Sequence, residues 1–211
     1  IGGTLMLTRY ADDWVAIWNG SRERAEEIKA EIKTFLAERL KLRLSEEKTL
    51  ITHIDDGFDF LGCRIVGNKR WTDTQWCLFS RVTPKAIRRF RDAVKQVARS
   101  TFTDEVAAFT ALSGLIRGWG NYYAYTAESR LMDSLDGFIY QQVWKYCRCK
   151  NKKAGAKEVF QQYTLPHSLR KSGYFHLGLI VGDKVIRIPR LSHIPRKPLK
   201  LSYPPHPYLC L

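Results

Sequence analysis

The feature that most constrains the fold is a pair of adjacent aspartates, Asp12 and Asp13, set between two short apolar runs. The runs cover residues 5–10 and 14–18 and have the composition of strands, which predicts a hairpin with the acidic pair at its tip. Neighbouring carboxylates repel each other and are costly to desolvate, and a bound divalent cation relieves both costs. The pair therefore indicates a site for an ion that prefers oxygen ligands, such as Mg²⁺. A solvated surface turn is the competing interpretation.

The rest of the first eighty residues predicts an α+β arrangement. Ser21 is a suitable N-cap, and apolar residues recur at helical spacing over 22–40. Two strands are expected next, over 50–54 and 58–66, with Asp55-Asp56-Gly57 turning the chain between them. This part of the chain is therefore expected to pack antiparallel strands around at least one helix.

From Thr83 onward the pattern changes and predicts helices. Thr83 suits a helix cap, and Pro84 suits the first helical position. Further elements follow in order: helices over 104–117 and 129–149, a linker at 150–155, and a hairpin formed by 174–181 and 184–188. The segment Gly118-Trp119-Gly120-Asn121-Tyr122-Tyr123 is expected to interrupt the helix that covers 104–117. A three-helix domain followed by a small β-rich tail is therefore predicted.

Charge is distributed unevenly along the chain. Residues 1–80 hold 12 Lys and Arg against 13 Asp and Glu, whereas residues 81–153 hold 14 against 6, and residues 154–211 hold 9 against 2. Basic stretches interleaved with Tyr and Trp suit phosphate neutralisation and base stacking, so nucleic acid is the favoured partner. A solvated basic surface and an anionic membrane are the alternatives. Five cations on the helix after Pro84 are the candidates for tracking a phosphate backbone: Arg88, Arg89, Arg91, Lys95 and Arg99.

Composition also indicates the compartment. The five cysteines form neither a disulfide framework nor paired zinc-binding spacings, which favours reduced thiols in an intracellular protein. The sequence holds no run of eighteen apolar residues, so no membrane span is expected. The first residues, Ile1-Gly2-Gly3-Thr4, include neither an initiator methionine nor a signal peptide. We therefore expect the sequence to begin within a longer protein.

The order of the motifs resembles that of the group II intron-encoded reverse transcriptases and maturases. Tyr10-Ala11-Asp12-Asp13, a helix, Leu44-Ser45-Glu46-Glu47-Lys48-Thr49 and Phe58-Asp59-Phe60-Leu61-Gly62 are together similar to the end of that family's polymerase palm. The stretch from Pro84 through Leu115-Ile116-Arg117-Gly118-Trp119-Gly120-Asn121-Tyr122-Tyr123 to Leu135-Asp136 is similar to its maturase-specific thumb. The resemblance implies part of a palm over residues 1–80, a helical maturase or thumb domain over 81–153, and a basic C-terminal extension over 154–211.

The resemblance also implies roles for residues of the palm. Asp12 and Asp13 would be catalytic residues that bind two Mg²⁺ ions, with a further aspartate and the fingers expected outside this chain. Lys48 would protonate the departing pyrophosphate, and a solvated turn lysine is the alternative. Phe60, Leu61 and Gly62 would hold the primer end, as residues of a strand that also packs in the core.

In the thumb, the same resemblance singles out residues 117–123. Arg117 and Asn121 are expected to bind RNA. Trp119 and one of Tyr122 and Tyr123 are expected to pack in the core, because aromatic residues at helical spacing usually do so.

The function implied is RNA-directed DNA synthesis together with intron splicing as a maturase. Its partners would be intron RNA, an RNA template, a DNA primer and deoxynucleotides, in the bacterial cytoplasm and without a membrane. One alternative is a non-catalytic RNA-binding splicing cofactor with a vestigial palm, which the intact Asp12 and Asp13 disfavour. A second is a split polymerase, in which a separate N-terminal polypeptide supplies the fingers and the missing aspartate.

Overall fold

The computed structural model describes residues 3–69, 76–99, 104–126, 128–169 and 176–197. These residues form two compact units, one ending at Arg81 and the other beginning at Val82. Helices and small sheets are both present, so the α+β prediction is confirmed at that level. None of the helices in the described ranges is long and apolar enough to cross a membrane. The palm and thumb assignments and the division into three domains stay predictions.

The first unit opens with the predicted hairpin. Strands β1 (Leu5–Tyr10) and β2 (Asp13–Trp18) pair antiparallel, with Tyr10 opposite Asp13. Helix α1 (Arg22–Leu40) follows, and the Ser21 side chain accepts a hydrogen bond from the Arg24 backbone N–H at 3.3 Å. Both the hairpin and the capped helix are therefore confirmed.

Two strand predictions in this unit are wrong. Residues 50–54 form no strand, because the backbone N–H groups of Asp56 and Gly57 bond back to His53 and close a turn there. The predicted strand over 58–66 is instead a hairpin of β3 (Phe58–Phe60) and β4 (Cys63–Lys69). Leu61 and Gly62 both have positive φ, as a two-residue hairpin turn requires. Strand β5 (Trp76–Val82) adds to β4 to complete a three-stranded sheet.

The second unit is built on four helices and a hairpin. The elements are α2 (Pro84–Arg99), α3 (Glu105–Tyr122), α4 (Ser129–Lys150), α5 (Ala156–Tyr163), β6 (Gly178–Val181) and β7 (Lys184–Arg187). Thr83 caps α2 through its hydroxyl, which accepts the Ala86 N–H at 3.3 Å. Gly182-Asp183 turns the hairpin as predicted, although the expected first residues of its first strand, 174 and 175, lie outside the described residues.

The core of the second unit is formed by the facing sides of its helices. The buried apolar residues that dominate it are Phe90, Val94, Phe109, Leu112, Ile116, Leu135, Ile139, Val143, Val159 and Tyr163. The predicted interruption at Gly118-Trp119-Gly120 is wrong, because α3 continues through these residues to Tyr122. Helix α5 was not predicted. It begins where Glu158 accepts a hydrogen bond from the Gly155 backbone N–H at 3.0 Å.

Candidate nucleic-acid interface

The acidic hairpin presents its two carboxylates to solvent. Asp12 lies in the two-residue turn and Asp13 begins β2, and both residues are exposed. Ala11 has φ 54°, and its carbonyl accepts a hydrogen bond from the Arg9 Nε at 2.8 Å, which fixes the turn. The described residues contain no cluster of three or more His, Cys, Asp or Glu side chains that could hold a metal ion. The two carboxylates have the donor chemistry that Mg²⁺ prefers, but they supply only part of a coordination shell.

The turn that carries Lys48 is held against α1 by ion pairs of Glu46. Glu46 pairs with Lys33 and, at 3.7 Å, with Lys29. These cations, Lys33 first, lower the pKa of the Glu46 carboxyl. Lys29 also donates to the Thr49 carbonyl at 2.7 Å. Lys48 itself is exposed, so its side chain is accessible from solvent.

The three residues predicted to position a primer lie at the tip of the β3–β4 hairpin. Phe60 ends β3, and Leu61 and Gly62 form the turn with φ of 50° and 79°. All three are half-buried, so they combine local packing with partial access. Their role toward a primer stays a prediction.

The basic residues predicted on α2 do not all share one exposed face. Arg88, Arg89 and Arg99 are exposed, together with Lys85, which sequence reasoning did not single out. Lys95 is half-buried and forms an ion pair with Asp92 at 3.3 Å. Arg91 turns inward, and its guanidinium lies 5.4 Å from the centroid of the Phe138 ring. The α2 face is therefore defined as Lys85, Arg88, Arg89 and Arg99.

The inner half of the 117–123 segment is packed. The Trp119 ring stacks on Phe90 with centroids 4.4 Å apart and lies 4.5 Å from the Tyr123 ring. Tyr123 is buried. A β-carbon added at Gly120 would collide with the Ile194 side chain and come within 2.8 Å of Leu191, so only glycine fits beneath this segment. Tyr123 thus lies in the core, and Trp119, which is half-buried, packs against it and Phe90, as the sequence indicated.

The outer half of the same segment is exposed and mixes charge with aromatic rings. Arg117 and Asn121 lie four residues apart on α3, and both are exposed as expected for RNA-binding residues. Tyr122 and Tyr125 are 56% and 47% exposed next to them. The Lys197 ammonium lies 5.6 Å from the centroid of the Tyr125 ring. We call these five residues the box face.

A buried carboxylate holds the segment that delivers Lys197. Asp136 on α4 accepts hydrogen bonds from the Leu191 N–H at 2.6 Å, the Ser192 N–H at 3.1 Å and the Ser192 hydroxyl at 2.6 Å. Arg190 lies 3.6 Å from the same carboxylate. Residues 190–194 are therefore fastened over Gly120. The Lys197 N–H then donates to the Ala124 carbonyl at 3.1 Å, which places the lysine beside the box face.

Tyr125 and Lys197 were missed by the sequence reasoning. Tyr125 follows α3 in a 3₁₀ turn, beyond the motif that drew attention to residues 117–123. Lys197 is more than seventy residues away in sequence, and long-range contacts of Asp136, Gly120 and Ala124 bring its segment to α3. The sequence feature that could have indicated this contact is Asp136, an acidic residue on a face of α4 that is otherwise apolar.

Part of this unit is similar to known proteins. Residues 87–164 match the group II intron maturase-specific domain. Protein YkfC of Escherichia coli is 48% identical over 58 residues, which is 28% of this chain and 15% of the relative. The group II intron-encoded protein LtrA of Lactococcus lactis is also 48% identical over 58 residues, which is 10% of its length.

A more distant relative matches a longer stretch. An uncharacterized 91 kDa protein in the cob intron of Schizosaccharomyces pombe is 30% identical over 139 residues, covering 57% of this chain and 17% of that protein. The matches thus span only a small part of each curated relative. The helices α2 to α5 fall almost entirely within the matched range, and so do both faces except for Lys85 and Lys197. Residues 87–164 are therefore similar to the maturase-specific domain of group II introns.

Proposed function

We propose that this chain binds intron RNA through the α2 face and the box face and acts as a splicing maturase. The observation that carries the proposal is the coincidence of these two exposed basic surfaces with the maturase-specific domain. The relative LtrA is itself named as a group II intron-encoded protein. The α2 face offers four cations that are not arranged to recognise a base sequence. Such cations suit contacts to a phosphate backbone.

The box face offers a different chemistry from the α2 face. Two partly exposed tyrosine rings provide surfaces on which unpaired bases can stack, and Asn121 can hydrogen-bond a base edge. Arg117 and Lys197 supply the charge beside them. Together the two faces would hold a structured RNA, the first by its backbone and the second by a loop or bulge.

Charge-removal variants test the RNA surface. In the 211-residue chain, Arg88→Ala with Arg89→Ala removes two exposed cations from α2 without touching an apolar position. Structured intron RNA should bind more weakly, and the slope of log affinity against log salt should become shallower by roughly one to two units, because about two counterions are no longer released. Arg39→Ala with Arg43→Ala, which removes two exposed arginines from the first unit, is the matched control.

The result that would contradict the proposal is equal affinity and equal salt slope for both double variants. In that case the RNA surface does not include the α2 face. Asn121→Ala gives an independent readout on the box face, since it should weaken binding to RNA with unpaired bases while leaving the salt slope near that of the parent.

A second proposed function, RNA-directed DNA synthesis, is supported by the acidic hairpin. Asp12 and Asp13 would hold Mg²⁺ together with carboxylates and substrate oxygens from outside the described residues. When bound, such a metal pair activates a 3′-hydroxyl and stabilises the leaving pyrophosphate. Lys48 would donate a proton to that pyrophosphate, and Phe60, Leu61 and Gly62 would position the DNA primer on its RNA template. Deoxynucleotides would be the substrates.

Primer extension separates this function from the alternatives. A protein that joins these residues to the remaining polymerase elements, in one polypeptide or two, should extend a DNA primer on RNA. Asp12→Ala should abolish extension and leave RNA binding unchanged, whereas Asp59→Ala, an exposed carboxylate paired with Arg64 at 3.0 Å, should retain extension. A vestigial palm predicts splicing with no synthesis by the unmutated protein. Extension by the Asp12→Ala variant would contradict the metal assignment.

A further inference from the structure

A second aromatic surface lies along the second half of α4 and continues onto α5. The rings of Tyr140 and Trp144 are parallel within 6°, with centroids 6.5 Å apart. Trp144 and Phe160 of α5 then meet edge to face at 6.3 Å. Tyr140 is 40% exposed, and the other two rings are half-buried. These three residues, which we call the aromatic strip, hold α5 to α4 at one end and leave ring surface open to solvent at the other.

The strip is bordered by an unusual concentration of positive charge. Between Trp144 and Lys157 the chain holds six cations and no carboxylate. The exposed members are Lys145, Lys150, Lys152, Lys153 and Lys157. The next acidic residue, Glu158, uses its carboxylate to cap the start of α5. In sequence, the first carboxylate after these cations is therefore one that already has a capping role.

The negative end of the α4 dipole accounts for only part of this charge. Cations stabilise a helix within its last turn, which here contains Arg148 and Lys150. Arg148 also donates to the Ala154 carbonyl at 3.0 Å and so closes the turn between the helices. Lys152, Lys153 and Lys157 lie after the last turn of α4. These three lysines need another explanation.

We propose that the aromatic strip and these three lysines form a binding site for single-stranded nucleic acid, which we call the corner site. Bases would stack on the open faces of Tyr140 and Trp144, and the lysines would neutralise the adjoining phosphates. This pairing of rings with a cationic border is how proteins bind single strands with little sequence preference. A duplex hides its base faces inside the stack, so the rings favour a single strand over a double helix.

The corner site is distinct from the box face. Glu105 at the start of α3 accepts a hydrogen bond from the Tyr163 hydroxyl at 2.7 Å, and the same hydroxyl accepts one from Asn151 at the end of α4 at 2.8 Å. The corner therefore lies at the first end of α3, and the box face lies at the last. An 18-residue helix is about 27 Å long, so the end of the corner at Asn151 lies roughly that distance from the box face. The corner site does not depend on the function proposed above.

The first test separates ring stacking from other contributions. The 211-residue chain is titrated into a fluorescein-labelled oligouridine, and binding is followed by anisotropy. Tyr140→Leu should weaken binding by about fivefold or more, because stacking one base on an aromatic ring is worth at least about 1 kcal/mol. Tyr140→Phe keeps the ring and should bind as the parent does. Equal affinity for the two variants would overturn the stacking assignment.

The second test leaves the rings in place. Lys152→Gln with Lys153→Gln should reduce the salt slope for oligouridine by about 1.4 units, since each phosphate contact on a single strand contributes about 0.7. Lys41→Gln with Lys184→Gln, two exposed lysines elsewhere in the chain, is the matched control and should keep the parent slope. An equal decrease in the salt slope for both double variants would show that net charge, and not the corner site, determines the slope.

Two further outcomes decide the identity of the partner. If the corner variants weaken binding to a duplex of the same length as much as to oligouridine, the site is not selective for single strands and the proposal is wrong. If phosphatidylserine vesicles bind the parent and lose affinity in Lys152→Gln with Lys153→Gln while oligouridine binding does not change, the surface is a membrane contact instead. Arg39→Ala with Arg43→Ala, which changes two exposed arginines of the first unit, should leave oligouridine binding intact. Because the corner variants are measured on oligouridine and Arg88→Ala with Arg89→Ala on structured intron RNA, failure of the corner site and failure of the α2 face are distinguishable.

Discussion

The two units of this chain are stabilised in different ways. Among the described residues, Ile28 and Ile65 are the buried apolar side chains of the first unit, and the other buried apolar side chains belong to the second. The first unit instead exposes large apolar residues on its hairpin, its helix and its loops: Leu5, Leu7, Tyr10, Phe35, Leu40, Leu42 and Leu50. Its order comes from hairpin ladders, a helix cap and ion pairs, which are individually weak.

The difference bears on where each proposed function resides. The carboxylates proposed for catalysis stand on a two-stranded hairpin in the unit with little core. The surfaces proposed for nucleic acid stand on helices whose opposite sides form a dense core, so their side chains are held in fixed positions. We therefore expect RNA binding to survive changes in the first unit, and synthesis to depend on what else packs against it.

The largest expected effect comes from truncating one phenylalanine in each unit. Phe109 is fully buried and its ring contacts Tyr146 and Tyr163, whereas Phe35 is 56% exposed on α1. Phe109→Ala should lower the free energy of unfolding by about 3–5 kcal/mol, because it leaves a cavity in the core. Phe35→Ala should change it by less than about 0.5 kcal/mol. Urea denaturation of the 211-residue chain measures both, and equal effects would break the comparison between the units.

A second comparison between the units removes one carboxylate from each. Asp136→Ala leaves the Leu191 and Ser192 N–H groups without their acceptor in a buried place and should cost about 2–3 kcal/mol. Asp59→Ala removes only an exposed ion pair with Arg64 and should cost less than about 1 kcal/mol. Loss of Asp136 should also release residues 190–197, which faster amide hydrogen exchange there would report. Unchanged exchange at Leu191 and Ser192 would show that the carboxylate does not fasten this segment.

The sequence correctly predicted the features of the fold that depend on local chemistry. The hairpin at Asp12-Asp13, the Ser21 cap and the Thr83-Pro84 helix start all depend on neighbouring residues, and the structure confirms each one. The family resemblance singled out Arg117 and Asn121 as RNA-binding residues, and both are exposed. The partner of these exposed residues and their roles remain predictions, because no local pattern specifies a ligand.

Long-range contacts account for the errors. Glycine is unfavourable inside a helix, so Gly118 and Gly120 predicted an interruption, but packing of Trp119 and the segment at Ile194 keeps α3 continuous. The turn at Leu61 and Gly62 was missed because leucine seldom adopts a positive φ. Helix α5 was missed because eight residues are too few for a clear period, and it depends on Tyr163 bonding to Glu105.

The two glycines of α3 give a smaller contrast within the second unit. A methyl group at Gly120 would meet Ile194 and Leu191, so Gly120→Ala should cost about 1–3 kcal/mol or displace residues 191–194. Nothing lies within 4 Å of a β-carbon at Gly118, so Gly118→Ala should stabilise the helix by up to about 1 kcal/mol. Thermal unfolding distinguishes the two. Stabilisation by Gly120→Ala would mean that the C-terminal segment does not pack on α3.

The smallest expected effect is a pH dependence that belongs to the second unit. His193 ends the 3₁₀ turn fastened by Asp136, and its ring lies 5.6 Å from that of His176. Burial first, then the charge of Arg190 and the proximity of His176, lowers the pKa of His193 below its usual value of 6.5, against an opposing effect of Asp136 and Asp133. The folded chain therefore binds this proton less readily than the unfolded chain, and stability should be full above pH 6.5 and decline as the pH falls below it. His193→Gln removes the titrating group, so its unfolding free energy should fall less steeply between neutral pH and the folded-state pKa. Urea denaturation at a series of pH values measures the slope of unfolding free energy against pH for the parent and for the variant. If the parent slope is no steeper than the variant slope, the turn fastened by Asp136 leaves His193 as accessible in the folded chain as in the unfolded one.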